Sequence, residues 1–301
     1  MAKVKANGLE IEYESFGRDS DSAILLIMGF GAQLTMWPTE FCEGLAAKGY
    51  RVIRFDNRDV GLSTHLHRLG MPDTAAAMAA LMSGGTTASA YTLDDMAKDA
   101  VCLLDALGIK RAHIAGASMG GMIAQLVAIN HPGHTISLTS IMSTTARPGL
   151  PPGKPEAMAA LTTPPASDSR EDRIAAGLRV AHVLGSPGFP DSEADIVANT
   201  EAAIDRTPFD PAGVARQLTA IIAAYPRHEK LKSVRAPTLV LHGADDPILV
   251  LDCGKDTAAC VSGAKLVVVP GMAHDFSKGL VPVYIQHLSE FIGSVEKAKA
   301  A

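Results

Sequence analysis

The feature that most constrains the fold of this chain is a series of short apolar runs separated by segments with helical periodicity. Strands that are buried on both faces of a parallel sheet have such continuous apolar runs. Their alternation with helical segments is typical of an α/β fold with a mostly parallel sheet flanked by helices. The predicted strands cover residues 23–28, 51–55, 112–115, 136–142, 238–241 and 266–269.

Two local signals predict further elements outside these runs. Asn7-Gly8 lies between two short β-prone segments, and this dipeptide is a strong signal for a two-residue hairpin turn. Residues 92–107 carry one apolar stripe at helical spacing, and they begin with the N-capping residue Thr92 and end before Gly108. We therefore expect an N-terminal hairpin, and a helix whose stripe packs against the sheet.

One segment breaks the alternation of strands and helices. Residues 148–165 contain six of the 18 prolines, so we expect no regular element there. Helical patterns without strands follow, at 171–184, 192–206 and 211–224. We therefore predict an α/β core formed by residues 1–143 and 229–301, and a helical insertion over residues 144–228, which we call the cap segment.

Charge and composition argue against several classes of partner. The net charge is −5 and no basic run is present, so we expect no nucleic-acid binding. The longest apolar run is far shorter than the ~20 residues of a membrane span, and the N-terminus has no apolar core of a signal peptide, so we expect a cytoplasmic protein that binds no membrane. The cysteines form no C-x-x-C pair, which predicts buried thiols rather than a zinc site, at Cys42, Cys102, Cys253 and Cys260.

The segment Gly116-Ala117-Ser118-Met119-Gly120 follows a predicted strand and opens a helical pattern. A Gly-x-Ser-x-Gly sequence at a strand-to-helix turn is a nucleophile elbow, where small neighbours allow a strained serine to project from the sheet. We therefore expect Ser118 to be a nucleophile. The alternative is a tight turn in which Ser118 only caps the helix.

A serine hydroxyl needs a base, and the base needs an acid that orients it. Two late strands run into loops that offer these groups, Asp245 and Asp246 after one strand and His274 after the other. Because the carboxyl ends of parallel strands lie at one edge of the sheet, we expect His274 and one of the two acids to lie near Ser118. The other nine histidines are interpreted as structural.

An oxyanion that forms on the substrate needs two converging N–H donors. The residue after the nucleophile, Met119, is expected to supply one of them. The other should come from the loop after the strand at 23–28, where Gly29-Phe30-Gly31 makes Phe30 the candidate. An ordinary strand-to-helix turn is the alternative interpretation of these two glycines.

These motifs resemble those of the α/β-hydrolase superfamily, and they occur in the same order as in that family. The resemblance rests on the elbow, on the Asp-Asn-Arg-Asp run at 56–59, on His242-Gly-Ala-Asp-Asp-Pro247 and on Gly271-Met-Ala-His274. Within the superfamily the chain looks most like the bacterial esterase branch that includes aclacinomycin methylesterase. The resemblance implies the α/β-hydrolase fold, with its helical cap in the insertion.

Carried over to this sequence, the resemblance implies that Ser118 is the nucleophile, His274 the base and Asp246, in preference to Asp245, the acid. It also implies that Phe30 donates to the oxyanion, although Met28 replaces a histidine that many members have. The implied enzyme hydrolyses a carboxylic ester of an apolar small molecule, such as a methyl ester, through an acyl-enzyme and without metal or cofactor. Serine at position 118 disfavours the dehalogenases and epoxide hydrolases of this fold, which use an aspartate.

Several alternatives remain open at the level of sequence. The same three residues would serve a lactonase, a hydrolase of C–C bonds or a cofactor-free perhydrolase. A non-catalytic receptor for small ligands on the same fold is less well supported, because such proteins usually lose one of the three. A dinucleotide enzyme is disfavoured because Leu34 stands where the third glycine of its fingerprint is needed. The sequence predicts no oligomeric state.

Overall fold

The computed structural model describes residues 1–300, apart from the side chains of residues 299 and 300. The structure has eight strands, β1 (Ala2–Ala6), β2 (Leu9–Phe16), β3 (Ser22–Ile27), β4 (Tyr50–Phe55), β5 (Ala112–Ala117), β6 (Thr135–Ile141), β7 (Thr238–Gly243) and β8 (Lys265–Val269). They form one sheet in the order β1-β2-β4-β3-β5-β6-β7-β8. The pairs β1/β2 and β2/β4 are antiparallel, and all other neighbours are parallel. The predicted mostly parallel sheet is confirmed.

Helices cover both faces of the sheet. The helices are α1 (Thr39–Ala46), α2 (Thr74–Met82), α3 (Leu93–Ala106), α4 (Met119–Asn130), α5 (Pro155–Thr162), α6 (Arg170–Leu184), α7 (Glu193–Arg206), α8 (Pro211–Ile222), α9 (His228–Leu231), α10 (Leu251–Cys260) and α11 (Val281–Ala300). The first hydrophobic core joins α3 and α4 to one face, and the second joins α1 and α11 to the other. Among residues 1–300, no helix has the length and apolarity needed to cross a membrane.

Both local signals from the sequence are confirmed. Asn7 and Gly8 have φ values of 49° and 76° and connect β1 to β2. The N-cap of α3 is Thr92, whose hydroxyl accepts from the Asp95 N–H while the Asp95 carboxylate accepts from the Thr92 N–H. Two otherwise unpaired backbone donors are satisfied in this way, which explains why the helix begins there.

The expectation of no regular element in the proline-rich segment is wrong for one part of it. The helix α5 begins at Pro155, which is its first helical residue. At the first helical position a backbone N–H has no acceptor within the helix, so its absence in proline costs no hydrogen bond. The restricted φ of proline also suits a helix. Proline therefore starts this helix instead of preventing it.

Helices α5 to α9 lie in the chain between β6 and β7. The cap segment therefore begins where β6 ends, at the carboxyl edge of the sheet. The loops after β3, β5, β7 and β8 leave the sheet at the same edge because these strands are parallel. The candidate site lies there.

Candidate active site

Ser118 occupies the turn between β5 and α4 with φ 55° and ψ −121°. This backbone conformation is unfavourable for a residue with a side chain, so the surroundings must hold it. A Cβ atom on Gly116 would lie 2.0 Å from the carbonyl oxygen of Gly120, and one on Gly120 would lie 2.0 Å from that of Ile27. The elbow therefore has room for glycine only, and its tight packing keeps the half-buried Ser118 projecting from the sheet.

Three of the predicted side chains meet at this point. His274 Nε2 lies 3.0 Å from Ser118 Oγ, and His274 Nδ1 lies 2.7 Å from Asp246 Oδ2. The other Asp246 oxygen accepts from the N–H groups of Ile248 and Leu249, both at 2.9 Å. The carboxylate thus accepts the Nδ1 proton of His274, which leaves the Nε2 lone pair facing the serine hydroxyl.

Asp245 lies in a different environment from Asp246. It is exposed, and its carboxylate accepts from the Gly271 N–H at 2.9 Å. This contact joins the loop after β7 to the loop after β8, whereas Asp246 is buried and contacts the histidine itself. The structure brings the acid favoured by the resemblance, and not its neighbour, to His274.

The two expected oxyanion donors belong to two segments that meet at Ser118. A Cβ atom on Gly29 would be 3.2 Å from Ser118 Cβ, so the segment 28–34, which we call the β3 loop, packs directly against the serine. Within residues 1–300, the N–H groups of Phe30 and Met119 have no hydrogen-bond acceptor. Unpaired N–H groups of this kind beside a nucleophile are available to a developing oxyanion.

The side chains of the Asp-Asn-Arg-Asp run after β4 hold the loops around this site in place. Asn57 donates to the carbonyl of Met28 at 2.9 Å, and Asp56 accepts from the Leu34 N–H at 2.7 Å, so the two ends of the β3 loop are held. The next two residues form buried, two-pronged ion pairs, Arg58 with Asp99 and Asp59 with Arg216. These ion pairs give Arg58 and Asp59 a supporting role beside the site.

The loop that carries His274 is bonded to the cap segment. The His274 N–H donates to the carbonyl of Leu184 at 3.0 Å, and the Ala273 N–H donates to Ser186 Oγ at 2.8 Å. The Ser186 hydroxyl in turn donates to Asp275. Burial raises the pKa of Asp275, and this hydrogen bond offsets only part of that rise. Sequence reasoning did not find Ser186, because a lone serine after a helix carries no signal of its partners.

Among the described residues, one group places nitrogen and oxygen atoms within 4.8 Å as a metal site would, namely His65, His67 and Asp210. His65 Nδ1 already lies 2.6 Å from Asp210 Oδ2, and the Arg216 guanidinium lies 3.6 Å from the same oxygen. Burial would raise the pKa of Asp210, but the hydrogen bond from His65 and the other contacts lower it. The cluster is thus a hydrogen-bonded contact between the core and helix α8, which Asp210 caps.

Comparison with known proteins agrees with this geometry. A family model described as alpha/beta hydrolase fold matches residues 22–277. The chain belongs to the α/β hydrolase family. Rhodomycin D methylesterase DnrP from Streptomyces peucetius is 27% identical over 283 residues, which cover 87% of both proteins. The 3-oxoadipate enol-lactonase 2 from Acinetobacter baylyi is 26% identical over 251 residues, covering 83% of this α/β hydrolase and 81% of the relative.

The solved structures also include an enol-lactonase from Burkholderia xenovorans LB400, which superposes with a TM-score of 0.72 at 20% identity. The match covers 97% of this α/β hydrolase and 100% of that chain. At this identity the similarity shows the fold alone. The predicted fold and the predicted esterase branch are confirmed, since relatives named as methylesterases match the chain.

Proposed function

We propose that this α/β hydrolase is a serine hydrolase that cleaves a carboxylic ester of a small apolar molecule through an acyl-enzyme. The activities of its relatives support a hydrolase that acts on ester-like substrates. The proposal that Ser118 attacks the ester rests on the continuous chain of hydrogen bonds from Asp246 through His274 to Ser118. It is the arrangement that activates a serine for attack on an acyl group.

In the first half of the proposed reaction, Ser118 Oγ attacks the ester carbonyl carbon while His274 Nε2 accepts its proton. Asp246 stabilises the imidazolium that results and keeps the ring in place. The carbonyl oxygen becomes negative and accepts from the N–H groups of Phe30 and Met119. The C–O bond of the ester then breaks, and the alcohol leaves with the proton held by His274.

In the second half, a water molecule takes the place of the alcohol. His274 removes a proton from the water as the oxygen attacks the acyl carbon, and the same two N–H groups stabilise the second oxyanion. The bond to Ser118 Oγ breaks, the serine regains its proton from His274 and the carboxylic acid leaves. The residues named here perform the whole cycle.

A lactone is the second candidate substrate, because two of the relatives are named as enol-lactonases. An ester with a small alcohol is favoured because methylesterase DnrP, at 27% identity, is more similar in sequence than either enol-lactonase, at 26% and 23%. Hydrolysis of C–C bonds and perhydrolysis would use the same three residues. They differ from ester hydrolysis in the leaving group or in the molecule that attacks the acyl-enzyme.

The proposal is tested by intact mass after incubation with a small fluorophosphonate, on the parent protein and on Ser118→Ala. We expect one adduct on the parent and none on the variant. A folded parent that forms no adduct and does not hydrolyse p-nitrophenyl acetate would exclude an activated Ser118 and favour a receptor.

The substrate class is tested with a panel in which the acyl and alcohol parts vary separately. Methyl esters of apolar acids should be hydrolysed with higher kcat/KM than lactones of similar size and than esters of charged acids. Higher kcat/KM for lactones would make the protein a lactonase with the same mechanism. A preference for charged acyl groups would contradict an apolar substrate.

A further inference from the structure

The β3 loop is held by two different parts of the molecule. The core holds its ends, through Asn57 at Met28 and Asp56 at Leu34. The cap segment holds its middle, because Gly31 N–H donates to Gln217 Oε1 at 2.9 Å. The candidate oxyanion donor Phe30 lies between these two kinds of contact.

A second residue of the β3 loop is also bonded to the cap segment. Gln33 Nε2 donates to the carbonyl of Ala203 at 2.9 Å, and Gln33 Oε1 accepts from Arg206 at 2.7 Å. Arg206 in turn pairs with the buried Asp56 at 2.7 Å, so it also joins the cap segment to the core. The middle of the loop therefore depends on contacts with residues far along the chain.

Gln217 is the most informative of these residues, because it is fully buried in α8 and the proposed mechanism does not use it. Its amide is bonded at both ends, since Oε1 accepts from Gly31 N–H and Nε2 donates to the carbonyl of Arg58 at 2.8 Å. A buried side-chain amide with both ends satisfied is rigid and costly to leave unpaired. Its two hydrogen bonds therefore connect the β3 loop to the loop after β4.

The Gly31 N–H belongs to the peptide unit that directly follows Phe30. Gly31 has a φ of 64°, a conformation that glycine enters and leaves easily. The hydrogen bond to Gln217 fixes the orientation of this peptide unit and so limits the rotation available to Phe30. Without it, the Phe30 N–H would sample orientations that do not point at the oxyanion.

We infer that Gln217 is a positioning residue for the oxyanion hole, and that the cap segment thereby forms part of the catalytic site. This inference rests on the proposed function. Any movement that separates α8 from the β3 loop breaks the hydrogen bond to Gly31, so the Phe30 donor is aligned only while α8 is docked. Docking of α8 and catalytic competence are therefore coupled.

The coupling has a specific kinetic signature. An oxyanion donor acts in the transition state and hardly contributes to ground-state binding, and its removal costs about 10²–10³ in kcat. A misaligned donor retains part of its effect, so we expect a loss of about 10- to 100-fold in kcat when Gln217 is replaced. KM should change less than about threefold.

The central variant is Gln217→Met, which keeps the length of the side chain and removes both polar ends. The matched control is Thr219→Val, on the same helix and equally buried, because its hydroxyl bonds only to the Arg216 carbonyl within α8. Both variants and the parent are assayed for kcat and KM with p-nitrophenyl acetate, and circular dichroism checks their folding. We expect the loss in Gln217→Met and a kcat within about threefold of the parent in Thr219→Val.

A second readout separates positioning from general destabilisation. Phenylboronic acid forms a tetrahedral adduct with an activated serine and so imitates the oxyanion intermediate. Its inhibition constant should rise in Gln217→Met by about the factor that kcat falls. A purely structural role would lower the amount of active enzyme without changing this constant.

Two further variants keep the test decisive if Gln217→Met does not fold. Gln217→Asn is one methylene shorter and cannot reach both Gly31 and Arg58, and Gln33→Met removes the other loop-to-cap contact from the loop side. Each folded variant should lose kcat with little change in KM. Parent-like kcat and boronate inhibition in the folded variants would overturn the inference while leaving Ser118 labelling intact, whereas a parent that fails to label would overturn the proposed function itself.

Discussion

The nucleophile elbow and the β3 loop lie side by side, yet they are stabilised in opposite ways. The elbow is held by the core, since the tight approach at Gly116 is to Gly120, four residues away, and the one at Gly120 is to Ile27 at the end of β3. The β3 loop is held in its middle by Gln217, 186 positions away. The position of the serine is therefore a property of the core, whereas the conformation of the loop that carries Phe30 depends on a distant segment.

The loop that carries His274 combines both kinds of support. Its histidine side chain is held by Asp246 from the core, and its backbone is held by Leu184 and Ser186 from the cap segment. In this molecule the cap segment therefore contacts the backbone of two loops next to Ser118, whereas the elbow itself is held by the core.

The largest effect is expected from breaking the elbow with Gly120→Ala. The added Cβ would meet the carbonyl oxygens of Ile27 and Met28 at 2.0 and 2.7 Å, which no side-chain movement relieves. We expect unfolding to become easier by more than about 3 kcal/mol, measured by urea denaturation, and fluorophosphonate labelling to be lost. Gly133→Ala is the control, because nothing lies within 4 Å of its Cβ position. Equal stability of the two variants would mean that the elbow is not tightly packed.

A smaller but still large effect is expected from Asp246→Asn, which leaves the fold intact. The amide cannot hold His274 in the required tautomer, so kcat should fall on the order of 10⁴-fold. The adjacent Asp245→Asn is the control and should cost less than about tenfold, since Asp245 only accepts from Gly271. A larger loss in Asp245→Asn than in Asp246→Asn would reverse the assignment of the acid.

The third effect concerns the link between the cap segment and the core. Arg206→Met leaves the buried Asp56 without its cationic partner, which should destabilise the protein by about 3 kcal/mol. Arg170→Met, which removes exposed ion pairs between α6 and α7, should change the urea midpoint little. Arg206→Met should also lower kcat, because Gln33 loses a partner. Unchanged kcat together with the loss of stability would restrict Arg206 to a structural role.

The smallest expected change is in the pH dependence of the variants relative to the parent. A histidine base must be neutral to accept a proton, so kcat/KM of the parent should fall as pH is lowered. Gln217→Met should have a parallel profile at a lower level, because His274 and Asp246 are untouched. A profile that shifts by a full pH unit would show that the cap contacts act through the histidine and not through the β3 loop.

Much of the fold could be predicted because its signals are local. The apolar runs, the Asn7-Gly8 turn and the caps of α3 specify strands, a hairpin and a helix through interactions within a few residues. Pro155 shows the limit of such reasoning, because proline ends one helix and begins another according to its position in the turn.

The candidate site divides in the same way. Ser118, His274 and the pair Asp245 and Asp246 could be located from the sequence because each follows a parallel strand, and all such strands end at one edge of the sheet. The preference for Asp246 within that pair came from the family resemblance. Gln217 and Ser186 could not be located, because helical periodicity indicates that a residue is buried but not which backbone group it meets. Their partners lie on loops that approach only after the chain has folded, so the contacts that align the backbone of this site follow from tertiary packing.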